Sequence, residues 1–566
     1  MRKNEVIRGG NFIKNTNYLN YQNKYISLKN IEDLKKEYFS DSKITKKGIK
    51  EFYKIIEKHN TNYINELKEN VELLKNINGY PLDEHQCRVV LSEEEAILVV
   101  AGAGSGKSLT IIGKIAYLVK ECGIKPEDIL CISFTNDATI NLKNNIKKNY
   151  DFNIDIYTFH KLSLEILKQN KIEYQIAPEN YLNEIIDNFF ETIIPSNKKM
   201  KNALNKVLGK KYCNMELNNL KRLIATFISL FKSNNYPLSY YLNIINKLKY
   251  TINIKEYYKN KYLILLIFNI YLLYENELSK ENALDFNDMI NKSISVLKNN
   301  GLKKQWKYII IDEYQDTSFT KFQLINEIKK ITNAKLLAVG DDFQSIYRFT
   351  GCDLNIFLKF TSYFSNAKIF QIVNTYRNPQ ELIDIAGKFI MKNKLQQKKI
   401  LYSSKHLKNP IVLYYKDNKI KALKEILTIL NNQNKEDILV LGRNNNDINN
   451  YIDNLFQKKD NFFTYNEIRF RYLTIHKSKG LESENVILIN MEDNLLGMPT
   501  KIKDEKILKY VNNTKDYFPY EEERRLFYVA LTRTKNRVYI ICPYKKESIF
   551  IKELRKNKKN IKIIKS

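Results

Sequence analysis

Apolar positions follow two different spacings along this chain. Over residues 1 to about 78, apolar side chains recur every three to four positions, as in EFYKIIEKHNTNYINELKENVELLKNI, and this spacing predicts one or two amphipathic helices. From Ala96 onwards, short uninterrupted apolar runs alternate with loops and helical patterns. Such runs are typical of parallel strands that helices cover on both faces, so we expect an α/β fold.

The strand-like runs fall into two groups, which predict two α/β domains in tandem. The first group consists of AILVVA (96–101), ILCISF (129–134), KYIIID (307–312) and KLLAVG (335–340). The second consists of IVLYY (411–415), ILVLG (438–442), YLTIH (472–476), NVILI (485–489) and RVYII (537–541). Residues 161–281 separate strands that should share the first sheet. They are helical in pattern and rich in Lys and Asn, which predicts an inserted helical domain.

These patterns set the expected domain boundaries. We expect a helical N-terminal extension at 1–78, a first α/β domain at 79–160 and 282–366, a helical insertion at 161–281, a second α/β domain at 367–548 and a basic tail at 549–566. The N-terminal extension could brace the main body or form an arm for a partner or nucleic acid, and we favour the brace. The tail, RKNKKNIKIIK, is a basic run of the kind found at frayed, solvated ends.

Composition narrows the class of protein. The chain carries 93 Lys and Arg against 63 Asp and Glu, a formal net charge of +30, which favours a polyanionic partner such as nucleic acid. Part of that excess is a bias towards Lys, Asn, Ile and Tyr across the whole chain. A hydrophobic fraction of 43% excludes disorder throughout. The six Cys have no CxxC spacing, which argues against a zinc or iron–sulfur site. Six is also a low count for a disulfide scaffold, which argues for a reducing compartment.

Signals for a membrane are weak in this chain. The N-terminal MRKNEVIRGGNF has no apolar core of signal-peptide length. The most apolar run, YLILLIFNIYLLY (262–274), is too short to span a bilayer and is interrupted by Asn269, so we predict a buried helix. We therefore expect a cytoplasmic protein without a membrane partner.

The segment AILVVAGAGSGKSLTI carries the most specific chemistry in the chain. A buried strand leads into AGAGSGKS and a helix follows, which is the context of a phosphate-binding loop. Small residues let backbone N–H groups curl around phosphates at the positively polarised start of a helix. Lys107 would reach the β- and γ-phosphates, and Ser108 would hold Mg²⁺. The predicted loop is Ala101, Gly102, Ala103, Gly104, Ser105, Gly106, Lys107 and Ser108, with Ala101 where the strict pattern has Gly.

A second strand, in KYIIIDEYQDT, brings two acids to the same edge of the sheet. Asp312 and Glu313 follow the strand, and ligands bind at the carboxyl ends of strands in open α/β sheets. Asp312 is suited to the Mg²⁺ shell, and Glu313 is suited to orient or deprotonate an attacking water. Together with the phosphate-binding loop, these acids predict a nucleotide-hydrolysing motor or switch.

Four motifs read together resemble a known family. AGAGSGKS, IDEYQDT, VGDDFQSIYRFTG and EEERRLFYVALTRTKNR are similar to motifs of the superfamily 1 DNA helicases of the UvrD/Rep group, and most of all to the helicase IV branch. Matching segments run in family order from about Tyr80 to Ile541. The resemblance implies two tandem RecA-like P-loop motor domains that use ATP and Mg²⁺, with a helical insertion in the first domain.

Within the nucleotide site, the resemblance implies further roles. Gln86 of YPLDEHQ would read adenine, Tyr376 of NTYRNP would stack on adenine, and Glu482 would accept hydrogen bonds from the ribose hydroxyls. A glutamine would sense the γ-phosphate, and two arginines would stabilise charge on the transferring phosphoryl group across a cleft. The predicted catalytic residues are Lys107, Asp312, Glu313, Gln344, Arg377 and Arg533.

The resemblance also implies contacts to single-stranded DNA. Aromatic side chains would stack on bases, which gives a grip that tolerates any sequence. The predicted DNA contacts are Phe134, Thr135, Asn136, Thr158, His160, Tyr347, Phe349 and His476. Phe349 stands where many relatives have Trp, and the stacking role survives that change. Thr350 stands where many relatives have Arg, so the role of that Arg is not carried over.

The expected function is that of an ATP-driven helicase or translocase on single-stranded and tailed double-stranded DNA. The resemblance implies 3′-to-5′ movement and a place in DNA repair or recombination. Two alternatives stay open, a motor that remodels RNA polymerase and a motor subunit for a partner nuclease in antiphage defence. UvrD and Rep carry a large insertion between the positions of Arg377 and Thr474. Core elements must fill this interval here, so we predict that the second insertion is absent or vestigial.

Overall fold

A computed structural model describes residues 20–21, 24–39, 45–249, 253–431, 437–512, 518–556 and 559–565. The strands are β1 Ala96–Ala101, β2 Ile129–Ser133, β3 Asp155–Thr158, β4 Gln175–Ile176, β5 Ala283–Leu284, β6 Tyr308–Ile311, β7 Lys335–Gly340, β8 Ala367–Ile372, β9 Ile411–Tyr415, β10 Ile438–Gly442, β11 Gln457–Lys459, β12 Phe462–Tyr465, β13 Ile468–Thr474, β14 Ser483–Leu488, β15 Thr534–Cys542 and β16 Ile561–Lys565.

The α-helices are interspersed with these strands. They are α1 Leu28–Tyr38, α2 Lys46–Asn70, α3 Glu84–Leu91, α4 Lys107–Lys120, α5 Asn136–Lys147, α6 Phe159–Gln169, α7 Tyr181–Asn188, α8 Ile194–Ser196, α9 Lys198–Leu208, α10 Asn214–Ser233, α11 Tyr240–Leu248, α12 Ile254–Lys280, α13 Phe286–Asn300, α14 Phe319–Thr332, α15 Leu354–Leu358, α16 Phe360–Tyr363, α17 Gln380–Ile390, α18 Lys419–Asn431, α19 Glu521–Leu531 and α20 Ile549–Arg555.

The first α/β domain is built on a parallel six-stranded sheet in the order β3-β2-β6-β7-β1-β8. Its central strand β1 is buried along its whole length. Ile97 and Val99 pack in the core on one face, while Leu98 and Val100 pack in the core on the other. This two-sided burial explains why the strand is an uninterrupted apolar run instead of an alternating one.

Strand β8 corrects the predicted boundary between the α/β domains. Residues 367–372 pair in parallel with β1, from Ala96 beside Ala367 to Ala101 beside Ile372. The boundary drawn at 366 is therefore wrong by one strand, and the chain leaves the first sheet only after Ile372. This strand lies at the edge of the sheet and is half exposed, so polar and apolar residues are mixed in AKIFQI. It is therefore not an uninterrupted apolar run, which was the pattern that predicted the other strands.

The helical insertion begins and ends at a small parallel pair, in which Gln175 lies beside Ala283 and Ile176 beside Leu284. The predicted start at 161 is wrong, because it falls inside α6, whose Leu162 and Ile166 pack in the core of the first domain. Between β4 and β5 the helices enclose their own core. The apolar run 262–274 lies in α12 and contributes to that core. Among the described residues, no helix has the length and apolar content needed to cross a bilayer.

The second α/β domain has an eight-stranded sheet in the order β11-β12-β13-β10-β14-β15-β9-β16. The interval from Arg377 to Thr474 contains α17, α18 and the strands β9 to β13, so core elements fill it as predicted. The prediction of a frayed basic tail is wrong. Residues 549–555 form α20, and β16 pairs in parallel with β9 from Ile561 to Lys565.

The described part of the N-terminal extension braces the first domain, as we favoured. Ile64, Val71 and Leu74 share a core with α3, α4 and β1. Tyr25 donates a hydrogen bond to Glu94 over 2.9 Å, and it packs in the same core. Residues 1–19 of the predicted extension lie outside the described part of the chain.

Candidate active site

The phosphate-binding loop follows β1 and leads into α4, which begins at Lys107. Gly104 and Gly106 have φ of 70° and 76°, a left-handed conformation that glycine adopts without strain. A Cβ at Gly106 would lie 2.5 Å from the Gln86 amide nitrogen, and a Cβ at Gly104 would lie 2.4 Å from the Arg377 Cβ. Backbone conformation and close packing therefore both require glycine at these two positions.

The two acids after β6 have opposite electrostatic environments. Burial and the charge of Glu313 raise the pKa of Asp312 to about 7. Burial also opposes ionisation of Glu313, but Lys107 and Lys479 outweigh it and lower the pKa of that carboxyl to about 2. The Lys107 ammonium lies 4.0 Å from a Glu313 carboxylate oxygen. Glu313 is therefore held as a carboxylate beside the phosphate-binding loop, which a general base requires.

Gln344 and Arg533 connect the first domain to the second. The Arg533 guanidinium donates to the Gln344 side-chain oxygen over 3.0 Å, and the Gln344 amide donates to Asp341 over 2.6 Å. Arg533 also donates to the carbonyls of Leu481 and Val529. Burial and the charge of Arg377 lower the pKa of Arg533 to about 9. A buried cation beside a second cation is suited to an anion that enters between them.

Residues 374–377 of the second domain lie directly on the phosphate-binding loop. The Tyr376 N–H donates to the Gly104 carbonyl over 2.9 Å, and the Thr375 hydroxyl donates to the Ala103 carbonyl over 2.8 Å. The Arg377 Cβ lies against Gly104, and its guanidinium donates to Glu482 over 2.8 Å. The structure therefore brings the predicted residues from both domains into one crevice.

The Gln86 side chain is fully buried beneath this loop. Its amide nitrogen donates to the Ser105 carbonyl over 3.1 Å, and its oxygen accepts from the Asp83 N–H over 2.9 Å. The Tyr376 hydroxyl donates to the Asp83 carboxylate over 2.7 Å, so Tyr376 lies at the same end of the site. The roles of Gln86, Tyr376 and Glu482 toward adenine and ribose stay predictions.

The donor set fits a metal ion that is shared with a nucleotide. The described residues contain no group of three or more His, Cys, Asp or Glu side chains that could hold a metal ion by themselves. Ser108 is exposed in the first turn of α4, and Asp312 is buried at the end of β6. One hydroxyl and one carboxylate suit Mg²⁺, which takes its other ligands from phosphates and water.

A separate cavity of about 1280 Å³ contains three of the predicted DNA contacts, Tyr347, Phe349 and His476. The Phe349 ring is 57% exposed, and its centroid lies 6.1 Å from that of Tyr347 and 5.6 Å from that of His476. Burial lowers the pKa of His476 to about 4, so this imidazole is neutral at physiological pH. Three flat rings around an open cavity suit stacking on bases.

The other predicted DNA contacts do not line this cavity. Phe134 packs edge-on against Phe159, with the Lys321 ammonium 4.6 Å from the Phe134 ring centroid. The Thr135 and Thr158 hydroxyls cap the starts of α5 and α6. Asn136 is exposed as the first residue of α5. These residues lie at the carboxyl ends of β2 and β3, and their contact with DNA stays a prediction.

His160 lies in the same region, against the ring of Phe286 at 5.0 Å. Burial and the charge of Lys321 lower the pKa of this imidazole to about 4. His160 is therefore a neutral group at physiological pH, and it would meet DNA as a flat ring and hydrogen-bonding partner.

Sequence reasoning missed Lys479, which joins the two sites. Its ammonium lies 3.8 Å from Glu313, makes an ion pair with Asp316, and donates to the Gln344 carbonyl over 2.8 Å. The same ammonium lies 5.0 Å from the centroid of the Tyr347 ring. Lys479 lies in IHKSKGLE between His476 and Glu482, two predicted site residues. This position was the signal in the sequence that could have identified it. Arg222 of the insertion and Arg443 also line the cavity, and no motif marked either of them.

Comparisons with known proteins find two family models and several relatives that are similar to this chain. A family model described as the UvrD/REP helicase N-terminal domain matches residues 82–365, and one described as the UvrD-like helicase C-terminal domain matches residues 471–545. DNA helicase IV of Escherichia coli (strain K12) is 26% identical over 509 residues, which cover 86% of this chain and 72% of that protein.

Two further relatives match over shorter shares of their own length. ATP-dependent DNA helicase Rep of Buchnera aphidicola subsp. Acyrthosiphon pisum is 30% identical over 436 residues, which cover 72% of this chain and 63% of that protein. A probable DNA helicase II homolog of Mycoplasma capricolum is 29% identical over 454 residues, which cover 76% of this chain and 58% of that protein. The chain thus spans between 58% and 72% of the length of these three relatives.

Proposed function

The chain belongs to the UvrD/REP helicase family of ATP-dependent DNA helicases, and from this premise we propose that it moves 3′-to-5′ along single-stranded DNA and unwinds duplex ahead of it. The contacts of Lys479 carry the coupling of ATP hydrolysis to movement in this proposal, whereas the direction is what the family resemblance implies. One ammonium group contacts the carboxylate of Glu313 and the ring of Tyr347. A change at the nucleotide site therefore reaches the cavity lined by Tyr347, Phe349 and His476, which we call the aromatic cavity, through a single side chain. A place in DNA repair or recombination stays a prediction from the resemblance.

The residues of the crevice have distinct tasks in ATP hydrolysis. Backbone N–H groups of 102–106 and the Lys107 ammonium would hold the β- and γ-phosphates. Glu313 would orient the attacking water and accept its proton. Arg377 and Arg533 would neutralise the charge on the transferring phosphoryl group. Ser108 and Asp312 would hold Mg²⁺, which would supply positive charge to stabilise the transferring phosphoryl group.

Movement follows from the dependence of these contacts on the γ-phosphate. Arg533 donates a hydrogen bond to Gln344, and the flanking Phe343 and Ile346 pack in the core of the second domain. Tyr347 and Phe349 follow directly in the chain, so a shift of the second domain moves the rings that grip the strand. Binding and release of the γ-phosphate would alternate two arrangements of these rings.

ATP hydrolysis with and without single-stranded DNA tests the catalytic roles. Lys107→Ala and Glu313→Gln should each lower DNA-stimulated turnover by about 100-fold or more, because each removes a group that acts on the transferring phosphoryl group or the water. Lys120→Ala, at the other end of α4, is the matched control and should keep its turnover. DNA-independent turnover that survives both site substitutions would refute the proposal.

Duplexes with a 3′ or a 5′ single-stranded tail test the direction of movement. The proposal expects ATP-dependent strand separation from the 3′-tailed duplex and none from the 5′-tailed one. Lys107→Ala is the control for ATP dependence. Unwinding of the 5′-tailed duplex alone would overturn the direction and leave the ATPase assignment intact.

A further inference from the structure

Residues 499–512, which we call the strap, connect the second α/β domain to the helical insertion. The strap follows β14 in the chain and precedes α19. Near its end, Ile507 and Val511 are buried in the core of the insertion, with exposures of 2% and 0%. The strap is therefore a segment of one domain whose apolar side chains complete the core of another.

Polar contacts fix the strap at the insertion. The Lys506 ammonium lies 3.0 Å from the Glu256 carboxylate of α12. The Tyr240 hydroxyl donates to the Tyr510 carbonyl over 3.0 Å, and the Asn234 amide donates to the Val511 carbonyl over 3.0 Å. Two buried apolar anchors and three polar contacts are enough to hold this end of the strap in place.

The beginning of the strap is fixed to the α/β domains. The Thr500 N–H donates to Glu523 of α19 over 3.1 Å. The Asp504 carboxylate accepts from Arg348 over 3.2 Å, and Arg348 lies between the two stacking residues Tyr347 and Phe349. The strap therefore spans from the second domain, past the aromatic rings, to the insertion.

The cavity lies inside the ring that these contacts close. Residues 500–504 of the strap line it on one side, and Tyr347, Phe349 and His476 line it as well. Arg222 of α10 adds a wall from the insertion, and residues 443–446 add one from the second domain. Both α/β domains, the insertion and the strap thus surround one space.

The charges in this cavity suit a phosphate backbone. Arg443 is paired with Glu523, Arg348 with Glu522, and Lys501 with Asp493. Three further cations of the lining, Arg222, Lys477 and Lys503, have no ion pair among the described residues. They come from the insertion, the second domain and the strap, so cations from three parts of the ring face the space between them.

We propose that the strap closes a ring around a single-stranded polynucleotide, so that the strand is topologically enclosed during movement. This inference rests on the proposed function, because it takes the occupant of the cavity to be the tracking strand. An enclosed strand leaves only by sliding off an end or when the strap separates from the insertion. The ring would therefore slow dissociation from DNA without contributing to ATP hydrolysis.

Chemical closure of the ring tests this inference. Glu256→Cys and Lys506→Cys place two thiols, one half-buried and one exposed, across the contact between strap and insertion. The full-length chain also carries Cys122→Ser and Cys213→Ser, which remove the exposed native thiols. Because the polypeptide is continuous from residue 256 to 506, a bis-maleimide across this pair makes a covalent loop. The variant is bound to circular or linear single-stranded DNA, cross-linked, and then denatured in detergent.

The expected result is circular DNA that stays with the cross-linked protein in detergent, while linear DNA of equal length is released. Glu277→Cys with Lys280→Cys, a pair within α12, is the matched control and should retain neither. Equal release of circles and linear strands after complete cross-linking would overturn the enclosure. A native chain that does not bind linear single-stranded DNA at all would instead refute the proposed function.

Discussion

Lys479 lies between the predicted nucleotide site and the cavity that contains Tyr347. Its side chain is only 7% exposed, and burial opposes its charge, but Asp316 and Glu313 outweigh burial and raise the pKa of this ammonium. Its positive charge is thus maintained between the carboxylate of Glu313 and the ring of Tyr347. A group in this position would contribute both to folding stability and to coupling between the two sites. Only a pair of substitutions can distinguish these two contributions.

Lys479→Met should lower the free energy of unfolding by about 3 kcal/mol, because it leaves the buried Asp316 carboxylate without its partner. It should also abolish most of the stimulation of ATP hydrolysis by single-stranded DNA. Adding Asp316→Asn removes the uncompensated charge and should restore much of the stability, while the stimulation stays low. Urea denaturation and ATPase assays check both readouts. Recovery of DNA stimulation together with stability would show that Lys479 is structural only.

Lys114 is a second buried cation, which lies in α4 away from the crevice. Burial lowers the pKa of its ammonium from 10.5 to about 8, and it donates to the carbonyls of Val90 and Ser92. Between these two pH values the unfolded chain holds a proton that the folded chain has lost. Stability linked to this group is therefore lost as pH falls through 8 and fully present above 10.5.

The difference in unfolding free energy between the native chain and Lys114→Met should increase in favour of the native chain by about 3 kcal/mol as pH rises from 8 to 10.5. The many tyrosines titrate in both proteins over this pH range, so their contribution cancels in the difference between the two unfolding free energies. Lys143→Met, at an exposed position of α5, should show no such trend. Chemical denaturation of both proteins at several pH values measures this difference. A difference that does not change with pH would contradict the lowered pKa of Lys114.

At the scale of elements, the accuracy of prediction followed the strength of local signals. Strands such as β1 and β6 are buried on both faces and stand out as apolar runs, and the motifs that follow them predict the nucleotide site. Strands β8 and β16 are exposed along much of their length, and their partners β1 and β9 lie far away in the chain. Their pairing depends on tertiary neighbours, which local patterns do not encode.

The strap is a loop, and it shows the same limit of prediction from local sequence patterns. Its anchors Ile507 and Val511 are isolated apolar residues in a polar stretch, and nothing in their spacing indicates that their core belongs to a different domain. Arg222 likewise became part of the aromatic cavity only once the fold placed α10 beside it. Motifs therefore indicated residues that the structure brings together around the phosphate-binding loop, whereas residues contributed by the assembly of domains needed the structure.

At the scale of the whole molecule, an experiment can test which of the excess positive charges bind DNA. The net charge of +30 is spread over the chain, but counterion release depends only on cations that meet phosphates. Arg222, Lys477 and Lys503 line the cavity without ion pairs among the described residues, so they are the cations we expect to neutralise the strand. Lys408, Lys421 and Lys459 are exposed elsewhere on the second domain and provide a matched set.

Replacing Arg222, Lys477 and Lys503 with Gln should weaken binding to single-stranded DNA and reduce the slope of log affinity against log salt by about 2, because each lost phosphate contact removes roughly 0.7 from the slope. Replacing Lys408, Lys421 and Lys459 with Gln lowers the net charge equally and should leave the slope nearly unchanged. Fluorescence anisotropy with an oligothymidylate between about 50 and 200 mM salt measures both slopes. Equal reductions in the two variants would mean that overall charge, and not the cavity, holds the strand.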